Sequence, residues 1–125
     1  PSTKVIGVEM AGAPAMKKSV EENRLVTLDE IPVVIDGLAV KTVGDYTFEV
    51  CKRFVDEIVA IDEQEIFKAV IWIMERCKLV AEGAAASTVA ALLTGAVNPK
   101  PGSKVACVLS GGNLNLGQLQ GVKWN

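Results

Sequence analysis

The sequence predicts an α/β fold in which parallel strands are covered by helices. Short apolar runs of strand length recur at Lys4–Glu9 (KVIGVE), Glu57–Ile61 (EIVAI) and Val105–Leu109 (VACVL). They are too short for helices and carry β-branched residues, as strands do. Between them lie longer segments with apolar residues at helical spacing, and strands that alternate with helices build parallel sheets. The last run stops abruptly at Ser110-Gly111-Gly112-Asn113. Such a turn lets backbone come close to another group, and open parallel sheets bind ligands just outside the carboxyl ends of their strands. Three strands make a narrow sheet, so the segment is expected to belong to a larger one.

Taken in order, KVIGVE reads as a buried strand turning polar at Glu9, and Met10–Ala15 as a Gly/Pro-punctuated loop. Ala15–Asn23 is a short helix with Lys17, Lys18, Glu21 and Glu22 in solvent. Leu25–Leu28 and Ile31–Ile35 are apolar pieces, and Pro32 makes the second an edge strand or extended connector closed by Asp36-Gly37. Asp45 is placed to cap a helix whose inner face carries Phe48, Cys51, Phe54 and Val55. After EIVAI, Asp62 and Glu65 have capping-box spacing. Ile66–Val80 is apolar nearly all round, which predicts a helix buried on more than one side, with Trp72 and Met74 in the core. The Ala-rich Glu82–Ala96 reads as a close-packed helix ending near Gly95. Asn98–Ser103 is a turn into the final strand. No internal repeat or low-complexity segment is present.

Composition narrows the function. At 125 residues the chain is the size of one domain. Half its residues are apolar and its mean hydropathy is +0.32, more than a small soluble domain needs. Some surface is therefore expected to face a partner or another part of a larger protein. A net charge of −2 without a basic run argues against nucleic acid. No apolar stretch reaches the roughly 18 residues that cross a bilayer, and PSTKVIGVE is not a signal peptide. The absence of an initial Met fits a processed or excised fragment. Cys51, Cys77 and Cys107 are far apart in apolar patterns, which predicts buried, reduced thiols and a cytoplasmic protein. Without histidine, Ser-His-Asp and Cys-His catalysis is excluded within this chain.

Several stretches occur together in one order: GVE at Gly7–Glu9, DGLAV at Asp36–Val40, F-x6-VDEIV from Phe48 to Val59, AEGAAA at Ala81–Ala86 and LSGGNLNL at Leu109–Leu116. From residue 4 to 116 the chain resembles the C-terminal part of the pyridoxal-phosphate-dependent threonine/serine dehydratases (threonine ammonia-lyases), relatives of serine racemase. The resemblance implies the open, mostly parallel three-layer sheet of the tryptophan-synthase-β-like (fold type II) enzymes. It also implies cleavage of L-threonine or L-serine to a 2-oxo acid and ammonia by β-elimination.

The family's S-F-K-x-R-G motif, whose lysine holds the cofactor as a Schiff base, is not found here. Nor are the S-S-G-N-H substrate loop and the Gly-rich phosphate loop. Residues 1–125 are thus expected to be one segment of the large domain, inactive alone and partnered by the N-terminal half of the same enzyme, in a homo-oligomer. No residue in this chain is expected to be the catalytic lysine.

By resemblance, Ser110 matches the serine that hydrogen-bonds the pyridine nitrogen of pyridoxal phosphate. A hydroxyl there leaves the ring nearly neutral, so loss of the β-hydroxyl competes well with delocalisation into the ring. Gly111 would admit the ring closely. Glu82 matches the acidic residue near the ring, and Gly37 lies in the D-G whose backbone lines the cofactor. Glu9 and the Ala13 carbonyl match two ligands of a divalent cation in racemase-like members, although Ala15 stands where those members have a third, carboxylate ligand. One carboxylate and one carbonyl are a thin set for a hard cation. The competing readings are a regulatory or interaction domain that keeps this fold segment without chemistry, and a racemase or cysteine-type synthase of the same cofactor fold.

Overall fold

Two strands form the centre of the molecule, and each follows from its apolar run. The computed structural model describes residues 2–32 and 35–123. β1 (Ile6–Met10) pairs in parallel with β2 (Glu57–Ile61), with Ile6 opposite Glu57 and Met10 opposite Ile61. The ladder extends at both ends: Asp56 N–H donates to the Val5 carbonyl, and Ala11 N–H to that of Ile61, at 2.9 and 2.8 Å. A parallel pair needs a crossover connection. Here it holds α1 (Ala15–Glu22) and α2 (Asp45–Phe54), which touch each other.

α1 ends at Asn23, whose φ of +53° is the left-handed conformation that Asn tolerates at a helix terminus. Ser19 is fully buried in α1; its hydroxyl donates to the Ala15 carbonyl and accepts from Val26 N–H, tying the following loop back onto the helix. That loop meets residues 41–42 through an antiparallel bridge between Thr27 and Thr42. No strand is formed by the described residues of Ile31–Ile35, and residues 33 and 34 lie outside them.

α3 (Glu63–Cys77) follows β2 and packs closely on α4 (Gly83–Leu93), which reaches both strands. Ile66, Phe67, Ala69, Val70 and Ile73 of α3 meet Ala85, Ala86, Ala90 and Ala91 of α4 in the core, with Met10 and Ile61 from the strand ends. The alanines of α4 are what let two helices approach so closely.

Several expectations need correction. Asp45 is the first residue of α2 rather than its cap; Gly44 holds that position, and Thr47 Oγ1 donates to the Gly44 carbonyl at 2.8 Å. An acid in the first turn still suits the helix dipole. Asp62 caps α3 as expected by accepting from Gln64 N–H, but Glu65 pairs with Lys68 at 2.6 Å, so the capping box is half made. Phe48 is buried while Phe54, expected beside it, is 60% exposed. Trp72 also faces outward, 39% exposed, and Met74 is only partly buried. Apolar spacing identifies a helix but does not say whether a second surface exists to cover its far side.

α3 ends at Cys77, before Lys78 with φ +57°, and α4 is shorter than Glu82–Ala96. The cysteines are free, as expected, yet Cys77 is exposed and the other two are half-buried. Burial and, to a lesser degree, the Glu9 carboxylate push the Cys51 thiol up, which keeps it protonated and unreactive.

The largest departure concerns residues 105–109. Among the described residues they form no strand and join no sheet, and Val108 is 70% exposed. A strand buried on both faces needs neighbours on both edges and layers above and below. The described chain supplies no strand on either edge and covers the segment only in part, where the half-buried Cys107 thiol reaches the Thr88 carbonyl of α4. No helix among the described residues is long and apolar enough to cross a membrane.

Candidate cofactor site

Three separate segments converge at the start of α4. Glu82, the residue before the helix, donates its backbone N–H to the Gly111 carbonyl at 3.1 Å. Its own carbonyl accepts the first helical bond, from Ala86. A methyl built on Gly111 would collide with the Glu82 carboxylate, and one on Gly112 would come within 2.8 Å of the Val80 carbonyl oxygen. On the other side, a methyl on Gly37 would lie 2.8 Å from the Ala84 Cβ, and one on Gly83 would lie 2.9 Å from Ile35. Real side chains do not approach backbone or a neighbouring Cβ so closely, so Gly37 and Gly112 have to be glycine for segments 35–37, 80–84 and 111–112 to meet, whereas at Gly111 the obstacle is the far end of the Glu82 side chain.

Between them lies a cleft of about 230 Å³. Ile35, Asp36 and Gly37 form one wall, Glu82, Gly83 and Ala84 the floor, and Asn113, Leu114, Asn115 and Gln118 the other wall. The peptide N–H groups opening α4 make the floor electropositive, while Asp36 and Glu82 bring carboxylates to it. Asn115 Oδ1 accepts from Gly117 N–H at 2.9 Å, starting the short 3₁₀ turn that carries Gln118.

The predicted residues are partly gathered here. Glu82 and Gly37 line the cleft, and Gly111 is held against Glu82. Ser110, one residue earlier, is exposed and is not among the lining residues. The space beside Gly111 and Gly112 is filled by residues 80–82 of the same chain. Asn115 and Gln118 were missed by the sequence reading, because the polar run after the Ser-Gly-Gly turn has no periodicity; the one available signal was its amide content.

Glu9 lies elsewhere. Its two carboxylate oxygens accept from Met16 and Lys17 N–H, both at 2.8 Å, and so close the N-terminus of α1 from a distance in sequence. Glu63 Oε1 accepts from Gly12 N–H at 2.9 Å, in the loop between β1 and α1. Ala13 is buried, its N–H bonded to the Met10 carbonyl. Among the described residues no three His, Cys, Asp or Glu side chains gather as a metal site.

Burial pushes the Glu9 carboxyl above its ordinary value of 4.5, against the opposing pull of the two amides and the Lys17 charge. Between the ordinary and the folded value the folded state holds the extra proton, so the Glu9 contribution to stability falls as pH rises through that window. In the full-length protein, Glu9→Gln is expected to flatten this slope and to cost about 1–2 kcal/mol at neutral pH through the lost acceptor. Urea midpoints measured from pH 4 to 8 check both. An unchanged slope would mean that Glu9 titrates normally.

The parallel α/β core with a glycine-built cleft at a helix N-terminus defines a class, the small-molecule or cofactor-binding α/β proteins. Comparison with known proteins narrows it. The sequence profile of the pyridoxal-phosphate dependent enzyme family matches residues 1–111, and the chain belongs to that family. An L-threonine ammonia-lyase of Thermotoga maritima is 44% identical over 119 residues, which is 95% of this chain and 29% of that protein. The L-threonine dehydratase biosynthetic IlvA of Halalkalibacterium halodurans is 42% identical over 96% of this chain and 29% of its own length. The chain therefore spans less than a third of these curated relatives.

Among solved structures, a threonine deaminase from T.th. superimposes with a TM-score of 0.82 at 33% identity, over 92% of this chain and 41% of that one. Maize serine racemase gives 0.84 at 29% identity, over 95% and 38%. The fold is that of the fold type II pyridoxal-phosphate enzymes, as the motif order implied.

Proposed function

We propose that this chain is the C-terminal part of the large cofactor-binding domain of an ammonia-lyase acting on L-threonine, with L-serine as the competing substrate. The observation that carries the reading is the meeting of Asp36-Gly37, Glu82-Gly83 and Asn113-Leu114-Asn115 at one cleft, with Gly111 bonded to Glu82, segments that lie far apart in sequence. The relatives named threonine ammonia-lyase support the substrate class. The remainder of the large domain would supply strands beside Val105–Leu109, whose backbone groups have no sheet partner among the described residues.

The cleft suits one edge of pyridoxal phosphate, being polar, glycine-walled and open. It has no lysine or arginine in its lining, so the phosphate site and the anchoring lysine belong to the rest of the polypeptide. When bound, the cofactor supplies electron withdrawal from the substrate Cα. In this reading Ser110 holds the ring nitrogen through its hydroxyl and keeps it uncharged, since a hydroxyl cannot stabilise a pyridinium as a carboxylate does. Glu82, whose N–H holds the Gly111 turn, and the Gly37 backbone would line the cofactor. The protein is read as a cytoplasmic homo-oligomer with an amino-acid substrate.

The test is 2-oxo acid release from threonine and from serine by the full-length protein. Ser110→Ala is expected to lower kcat/KM about tenfold to a hundredfold, the worth of one buried hydrogen bond in the transition state, and to shift the visible cofactor band. A full-length protein without that band, releasing no 2-oxo acid, would favour the regulatory-domain reading. The likeness to maize serine racemase makes D-serine formation the second product to assay.

A divalent cation beside Glu9 and Ala13 would share Glu9 with the Met16 and Lys17 amides. Thermal stabilisation of the full-length protein by Mg²⁺ or Ca²⁺, lost in Glu9→Gln, is the result that would establish it.

A further inference from the structure

The cleft wall at residues 113–118 belongs to no long element, yet its course is fixed at several points. Leu114 and Leu119 pack against the core, and Val122, 6% exposed, is buried in it. Between the two leucines the chain forms the 3₁₀ turn Leu116–Leu119. Such a turn has about three residues per revolution, so Asn115 and Gln118 share one side of it. Both line the cleft. Leu116, which opens the turn, is 66% exposed, so apolar packing does not hold this end.

What holds it is polar. A 3₁₀ turn this short has poor hydrogen-bond geometry and little stability of its own. Gln118 N–H donates to the Asn115 carbonyl at 3.0 Å, and Gln120 N–H to that of Gly117 at 3.2 Å. Asn115 adds the bond from Gly117 N–H to its Oδ1, and its φ of −89° and ψ of 113° are those of a helix cap. The side chain thus satisfies a donor that the turn leaves open. On the other side, Leu114 N–H donates to the Gly112 carbonyl at 2.8 Å, and the Gly111 carbonyl accepts from Glu82. Asn115 therefore stands at the joint between the Ser110 turn, tied to the start of α4, and the wall bearing Gln118.

We propose that Asn115 is a positioning residue, whose cap on the 116–119 turn keeps the Gln118 wall in the shape that receives the cofactor. This role rests on the reading of the cleft as a pyridoxal-phosphate site. Asn115 acts through its side-chain oxygen and the Gly117 backbone, and it needs no contact with the ligand. An uncapped turn spreads over several conformations, and apparent affinity falls with the fraction that stays competent. One lost cap typically shifts such a population about fivefold.

The test compares Asn115→Ala with Asn115→Ser in the full-length protein. Serine caps a helix as well as asparagine does but carries no carboxamide N–H. Without cofactor, amide exchange in segment 113–120 is expected to quicken about fivefold in Asn115→Ala and to stay within about twofold of wild type in Asn115→Ser. In absorbance titrations, pyridoxal phosphate should bind about fivefold more weakly to the alanine variant and within about twofold of wild type to the serine variant. Exchange unchanged by Asn115→Ala would overturn the proposal, as would faster exchange with unaltered affinity, which makes the cap structural only. A serine variant that binds as weakly as the alanine one would overturn it too, assigning the carboxamide to a direct contact with the ligand. A wild-type protein that binds no pyridoxal phosphate would remove the reading of the cleft itself, and the proposal with it.

Discussion

Gly112→Ala is expected to cost the full-length protein tenfold to about a hundredfold in pyridoxal-phosphate affinity, while Gly111→Ala changes it by less than about threefold. Both added methyl groups meet the segment before α4, but they meet different things. At Gly112 the obstacle is the Val80 carbonyl, 2.8 Å away and part of the main chain leading into Glu82. Backbone cannot yield without moving the loop or the start of α4, and such overpacking costs about 1–3 kcal/mol. At Gly111 the obstacle is the far end of the Glu82 side chain, which can swing aside. The turn carrying Ser110 therefore moves in the first variant and stays in the second. Cofactor titration followed by absorbance separates the two, and equal affinities in both variants would show that the turn does not set the site.

The largest loss of stability is expected from Ile73→Ala, about 2–5 kcal/mol, read from the urea midpoint of the full-length protein. Ile73 is 1% exposed, in the layer where α3 meets the alanines of α4. Those alanines are too small to fill the space, so the three carbons removed leave a void. Trp72, one residue away, supplies the control: the residue is 39% exposed, so Trp72→Ala should cost less, despite removing more atoms. A loss below about 1 kcal/mol at Ile73 would mean that the α3–α4 contact is loose.

The amino-acid order alone was enough for the elements whose cause is local. β2 was placed at Glu57–Ile61 and β1 within two residues, because a short apolar run between turn residues has few other uses. Asp62 was recognised as a cap because its oxygen has to reach only two residues on. The motif order from Gly7 to Leu116 pointed to the family that the profile match later established.

Only the folded chain could decide what lies far away in sequence. Glu9 reads in sequence as a solvated strand-end carboxylate or a metal ligand, and the fold gives it two amides of α1 that lie seven and eight residues on. Gly111 and Gly112 read as room for a ring, and on the side where a Cβ would stand they admit residues 80–82. Phe54 and Trp72 obey helical spacing yet face outward. Periodicity is a property of neighbours along the chain, fixed by 3.6 residues per turn or two per pleat. Whether a face is covered, and by what, depends on segments brought together across the fold, and no local pattern encodes their distance.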